Sequence, residues 1–372
     1  MLNGKKLVVV LGMHRSGTST IARALKALGI ELGDNLIVPG FDNPKGFWED
    51  FDIVQLNDDV LATLDRAYDT LEPIYPEQLD LEALLSFKER ASTLLIDKMA
   101  SVHCFGLKDP RMTRLLPFWK PIFDALNLDV RYVIASRHPK SVARSLAQRN
   151  HFFDEKGYLL WFEHVLWSLI ETQGKPRMIV DYDQLMENSI HALKQMAILL
   201  DVTVDETSIE FIEYTQIFLD KTLTHTQYQL NDLLEERFIS QEMITLYQLV
   251  QKAAADIHVL TQNDAIKCLE QLQYTLKNNH IFLHYLSMLE SELAKKEIEH
   301  AQQEERLVSK ALGISYFKDE LLQTTKDQAE QITLLTHALR DINLNMYRYH
   351  HYLSKPWKIP SMLTRKLKKC FS

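Results

Sequence analysis

Apolar positions along the chain follow two different patterns. In the first, short β-branched and aliphatic runs give way to polar residues: KLVVVL (6–11), VHCFGLKD (102–109), RYVIAS (131–136) and PRMIVDY (176–182). Segments with apolar residues three and four apart, such as STIARALKALG and KSVARSLAQRN, lie between them. That alternation predicts a parallel sheet built from βαβ units, with ligands beyond the carboxyl ends of the strands.

The second pattern is helical. No proline occurs between Pro176 and Pro356, and after Gly174 the only glycine is Gly313. A span without the two strongest helix breakers predicts a succession of helices, with HALKQMAILL the first. Farther on, Ile332, Leu335, Leu339, Ile342, Met346, Tyr349 and Leu353 recur at alternating steps of three and four, a heptad seam. An earlier seam, Phe282, Leu286, Leu289 and Leu293, runs into KKEIEHAQQEER, too charged to be buried all round. A coiled coil or helical hairpin is expected here; amphipathic helices packed back on the core are the alternative. The expected fold class is therefore α/β, a parallel sheet flanked by helices, followed by a mostly α-helical, coiled-coil C-terminal region. Its expected divisions are an α/β domain over 1–230, a helical region over 231–354 and a basic amphipathic tail over 355–372.

Composition narrows the classes. The 372 residues are 46% hydrophobic and 25% charged, as in an ordinary globular protein. A net charge of −8 makes the chain a poor nucleic-acid binder. No apolar run of about 18 residues argues for a spanning helix, and the N-terminal stretch reads as a buried strand rather than an export signal. A cytoplasmic location is expected. Cys104, Cys268 and Cys370 lack metal-ligand spacing and are expected to be free thiols.

Gly12 to Ser19 carry the spacing G-x-x-x-x-G-T-S after the first strand, which keeps the frame of a phosphate loop but puts Thr18 where the usual lysine stands. Converging backbone N–H groups and the following helix end suit any phosphate. A triphosphate hydrolase needs a cation reaching the terminal phosphates and an acid to help hold Mg²⁺. This loop offers Arg15 instead, whose planar donors suit a smaller anion held directly. A second, independent stretch, RYVIASRHPKSVARSLAQR, ends a strand at Arg137 and starts a helix at Pro139. Ser145 and Arg149 lie four apart on one face of that helix, so both can meet one phosphate together with Arg137. Arg144 and Lys140 are expected to point into solvent.

RSGTS after a first strand, combined with Arg137, Ser145 and Arg149 in the spacing R-x7-S-x3-R, resembles the paired binding motifs of sulfotransferases that use 3′-phosphoadenosine 5′-phosphosulfate. GLKDPR (106–111), VDYDQLMEN and LKQMAILLDV extend the resemblance over roughly residues 5–225. It implies a donor held at two separated anion sites. Arg15, Ser16, Gly17, Thr18 and Ser19 would hold the 5′-phosphosulfate, and Arg137, Ser145 and Arg149 the 3′-phosphate, with Tyr182 near the nucleotide. No metal is required. Sulfuryl transfer to a hydroxyl needs a base for the acceptor proton and cations for the developing charge. Glu49 in NPKGFWED, flanked by Phe47 and Trp48, is the first choice for base, with Asp50 and His14 as rivals. Lys108 is the candidate for stabilising the transition state, and Asp109 is assigned to orienting Lys108 or Arg111. His225 carries little weight.

Beyond Asp341 there is no acid, while Arg348, Lys355, Lys358, Arg365, Lys366, Lys368 and Lys369 are basic and interleave with Trp357, Ile359, Met362, Leu363 and Leu367. Such a tail suits an anionic membrane surface, so peripheral contact with the inner face of the membrane is expected. The expected acceptor is a carbohydrate hydroxyl of a surface or lipid-linked glycan, and the coiled coil offers a route to a homo-oligomer. Two other functions fit parts of the sequence: an atypical P-loop kinase or NTPase, and a non-catalytic coiled-coil assembly protein of glycan biosynthesis.

Overall fold

A computed structural model describes residues 2–40, 43–219, 228–311 and 318–353. The chain divides into two compact units, the first ending at Asn278 and the second beginning at Asn279.

The four apolar runs form the strands β1 (Lys6–Leu11), β2 (Cys104–Lys108), β3 (Asp129–Ser136) and β4 (Arg177–Asp181), all parallel in the order β2-β1-β3-β4. Leu7 to Leu11 are wholly buried, which explains a run that does not alternate with polar residues. Helix α1 (Thr18–Ala27) follows β1, and α2 (Phe51–Thr63) and α3 (Leu85–Lys98) precede β2. Next come α4 (Met112–Ala125) before β3, then α5 (Pro139–Asn150) and α6 (Asp154–Glu171) before β4. Short α7 (Tyr182–Glu187), α8 (Ser189–Leu200) and α9 (Ile209–Glu213) come after β4. Val8, Val10, Val133 and Val180 pack on one side against Ile21 and Leu25 of α1, Leu193 and Met196 of α8, and Phe211 of α9. Thus α8, expected to open the helical part, completes the core of the α/β sheet.

The first unit runs past the expected boundary at 230. Helices α10 (Leu230–Leu234), α11 (Gln241–Ala255) and α12 (Asn263–Asn278) continue it, α11 against β4 and α12 against α6. Their apolar stripes, such as Met243, Leu246, Tyr247 and Val250, are buried.

The second unit holds α13 (His280–Ala311) and α14 (Lys318–Leu353), which pack together, with Gln328 donating to Gln303. Along α14, Ile332, Leu335, Leu339, Ile342 and Met346 are half-buried beside exposed Thr333, Leu334 and His337. Lys295 to Glu299 and Ala301 to Arg306 are exposed. The tail 355–372, Cys370 and His225 lie outside the described residues. No described helix is long and apolar enough to cross a membrane. Cys104 and Cys268 are free thiols.

Candidate functional site

Parallel strands present their carboxyl ends on one edge of the sheet. Lys108 pairs with Val10, Ile134 with Leu11, and Asp181 with Ser136. Because β1 has β2 on one side and β3 on the other, a crevice opens where the strand order changes direction. A cavity of 480 Å³ occupies that edge. Arg15, Gly17, Thr18, Ser19, Glu49, Lys108, Arg137, Ser145, Arg149 and Tyr182 all line it.

The phosphate loop is shaped by backbone conformation. Gly12 has φ 135°, and a Cβ there would stand 2.9 Å from the carbonyl oxygen of Ala135. Arg15 and Gly17 take left-handed φ values of 69° and 91°. Successive turns of this hand point backbone N–H groups toward one side of the loop. Gly17 caps α1 without a side-chain hydrogen bond, and the first turn of α1 has no acid to satisfy its N–H groups. Tyr182 closes over this point: a Cβ on Gly17 would come within 2.3 Å of its ring. Ser16 departs from expectation. Its side chain is buried outside the cavity wall, and its backbone N–H donates to the Met13 carbonyl at 3.1 Å.

The second arm begins where β3 ends. His138 caps α5, its Nδ1 accepting from the Lys140 N–H at 3.2 Å, and Pro139 takes the first helical position. The Arg137 guanidinium lies 4.5 Å from the centre of the Tyr182 ring and donates to the Arg15 carbonyl at 3.4 Å. Tyr182 itself is placed by Asp181, which ends β4 and accepts from the N–H groups of Asp183 at 3.0 Å and Gln184 at 3.1 Å. The Nε of Arg15 donates to the Ser145 hydroxyl at 2.8 Å. The loop and α5 are thus joined side chain to side chain, and both motifs line the same cavity. Lys140 is not solvated as expected: its ammonium pairs with Glu236 at 2.8 Å and lies 4.9 Å over the Tyr228 ring. Arg144 pairs with Asp154 at 3.1 Å and, more than half exposed, also reaches the cavity wall.

Glu49 reaches the cavity through an irregular segment. The Ile37 N–H donates to its carbonyl at 2.8 Å, and the Phe51 N–H donates to the Asn35 carbonyl at the same distance. Just before Glu49, Trp48 adopts φ 58°, uncommon for a bulky residue, and its ring turns toward Phe218 and the Arg23 guanidinium. Lys108 donates to the Glu49 carboxylate, to the Phe47 carbonyl at 3.0 Å and to the Ser19 hydroxyl at 3.2 Å. This buried pair therefore abuts the phosphate loop. Burial pushes the Glu49 carboxyl up, against the opposing pull of the Lys108 ammonium.

The rivals for base are placed differently. Asp50 caps α2 through the Asp52 N–H at 3.1 Å and pairs with Lys98 at 2.9 Å. Asp34 and Asp52 join it around the same ammonium, so a lysine sits where these three carboxylates converge. His14 does line the cavity, edge-on to Tyr68. Burial, and then the charges of Arg111 and Lys108, hold its imidazole well below the ordinary range, which makes it a weak base. Asp109 accepts from Asn57 at 2.8 Å and from the Arg111 guanidinium at 2.9 Å, so it orients Arg111. Arg111 in turn comes within 3.9 Å of Glu49. Tyr228, Phe218 and Ser141 are further lining residues that sequence patterns left unmarked. Of these, Ser141 alone carried a signal, standing four residues before Ser145.

No family model and no curated protein match the chain. Among solved structures it is similar to the sulfotransferase domain from the curacin biosynthetic pathway, at 19% identity and a TM-score of 0.36 over 57% of this chain and 79% of that one. It is also similar to the sulfotransferase domain from the Synechococcus PCC 7002 olefin synthase, at 19% identity and a TM-score of 0.35 over 73% of this chain and 96% of that one.

Proposed function

We propose that the chain is a sulfotransferase that takes the sulfuryl group of 3′-phosphoadenosine 5′-phosphosulfate to a hydroxyl acceptor. One observation carries this: a phosphate loop, a cationic serine-bearing helix and a buried carboxylate–ammonium pair line a single cavity. The residues suit a donor with two separated anionic groups. Arg15, Gly17, Thr18, Ser19 and the start of α1 take the 5′ end, Arg137, Ser145 and Arg149 take the 3′-phosphate, and Tyr182 stands between loop and helix.

The donor supplies an activated sulfur, and the protein arranges the displacement. Ionised Glu49 accepts the acceptor's proton as the acceptor oxygen bonds to sulfur. The sulfur's bond to the bridging phosphate oxygen breaks, and that oxygen keeps the electron pair. Lys108 stands beside both Glu49 and the loop, so its ammonium is placed to offset charge building on the leaving phosphate.

An ATP-using reading is disfavoured by Thr18 at the lysine position and by Asp109, whose oxygens already hold Asn57 and Arg111. Titration calorimetry separates the two. Adenosine 3′,5′-bisphosphate should bind tightly without added metal and ATP–Mg weakly; the reverse preference would overturn the proposal. In the same titration Arg137→Ala should weaken bisphosphate binding by about 1.5–3 kcal/mol, the worth of a hydrogen bond to a charged group. Unchanged affinity would remove Arg137 from the site.

A carbohydrate hydroxyl of a surface or lipid-linked glycan is the acceptor we favour, with the enzyme on the cytoplasmic side where such donors occur. The basic, aromatic-bearing sequence of 355–372 supports peripheral membrane contact. The heptad seam of α14 supports self-association, as a coiled coil would.

A further inference from the structure

We infer that Ser141 is a specificity-determining residue of the α5 arm: its hydroxyl binds an oxygen of the phosphate held there, and so separates nucleotides carrying that second phosphate from those lacking it. The inference rests on the donor reading above, in which this arm receives a phosphate.

Ser141 stands one turn before Ser145 and lines the cavity with it. It is 6% exposed, yet its hydroxyl has no hydrogen-bond partner among the described residues. A buried hydroxyl left alone is costly, and a helical serine ordinarily escapes that cost by donating to the carbonyl four residues back. Ser92 does this to Lys88 at 2.9 Å, and Ser168 to His164 at 2.8 Å. For Ser141 the corresponding carbonyl belongs to Arg137, which precedes the His138 cap and so lies outside the helix, and that oxygen receives the Trp161 indole N–H at 3.1 Å. The hydroxyl is thus buried without a protein partner among the described residues, on a residue that lines the cavity.

The surroundings of this hydroxyl are cationic. Ser141 sits in the first turn of a twelve-residue helix, where the macrodipole favours negative charge. Arg137 and Arg144 line the same wall, and the Nε of Arg137 is likewise buried without a hydrogen-bond partner among the described residues. Glu49, committed to Lys108, is the only carboxylate among the described lining residues. Two buried donors without acceptors, at a positive helix end beside guanidinium groups, call for an oxyanion rather than a neutral hydroxyl.

Calorimetry with adenosine 3′,5′-bisphosphate and adenosine 5′-phosphate tests this on the full chain. Ser141→Ala should weaken the bisphosphate roughly tenfold or more, the loss of one hydrogen bond to a charged group. It should leave the 5′-phosphate within about twofold, and Ser141→Thr, which keeps the hydroxyl, should restore most of the bisphosphate affinity. Wild-type bisphosphate affinity in Ser141→Ala, or an equal loss for both ligands, would overturn the assignment while leaving the donor reading intact. Failure of the wild-type chain to bind the bisphosphate would overturn both.

Discussion

Replacing Glu49 with glutamine should lower the rate of sulfuryl transfer by roughly 10²–10⁴-fold, the usual worth of a general base, while leaving bisphosphate affinity within about threefold. Glutamine keeps the shape and a hydrogen-bond acceptor for Lys108 but cannot take the acceptor's proton. The pH profile separates this role from a structural one. Burial raises the Glu49 pKa, so the ionised, working form is lost on acidification from a higher pH than an ordinary carboxylate would give. The wild-type rate should therefore climb with pH over a window above the usual carboxylate range, and that limb should vanish in Glu49→Gln. Transfer of labelled sulfate from the donor into glycan of a cell extract, followed against pH, is the measurement. An undiminished rate in Glu49→Gln would remove Glu49 from the chemistry.

Glu163→Ala should destabilise the first unit by about 3–5 kcal/mol, read as a lowered urea midpoint, because it strands a buried guanidinium. Arg114 is 0% exposed at its side chain and donates to Glu163, itself 4% exposed, at 3.1 Å. Its other nitrogens hold the carbonyls of Ala67 at 3.2 Å and Glu72 at 2.6 Å. The pair thereby fastens the segment that carries Tyr68 against His14 at the cavity. Desolvation raises the Glu163 pKa, and Arg114 opposes it. Removing both charges should cost much less than removing one, so Arg114→Met combined with Glu163→Leu should recover a large part of the lost stability. A single substitution as mild as the double would show that the pair does not hold the unit together.

What the sequence made legible follows from locality. The four strands were visible because buried parallel strands are continuous apolar runs, and β1, β2, β3 and β4 fall on the four runs. The loop and the α5 arm could be marked from sequence because the residues of each lie within one turn or one helix face, and the fold brings both to one cavity. Glu49 and Asp50 could not be told apart by such means. They are neighbours in sequence, and what separates them is a lysine at position 108 for one and at position 98 for the other. Lys140 was misjudged for the same reason: Glu236, its partner, lies far along the chain. Ser141 is indistinguishable in sequence from a serine bonded within its own helix; its place in the first turn after the His138 cap and on the cavity wall emerges only in the fold. The boundary at Asn278 was obscured because α10, α11 and α12 carry the same helical pattern as α13 and α14, and only packing against α5, β4 and α6 assigns them to the first unit.

The central claim is that the loop at the start of α1 and the arm on α5 grip one nucleotide between them. A crystal structure with adenosine 3′,5′-bisphosphate tests it most directly. The expected result is one molecule with its 5′-phosphate at Arg15, Gly17, Thr18 and Ser19 and its 3′-phosphate at Arg137, Ser145 and Arg149. A bisphosphate bound elsewhere, or touching one of these clusters while the other remains out of its reach, would contradict the account.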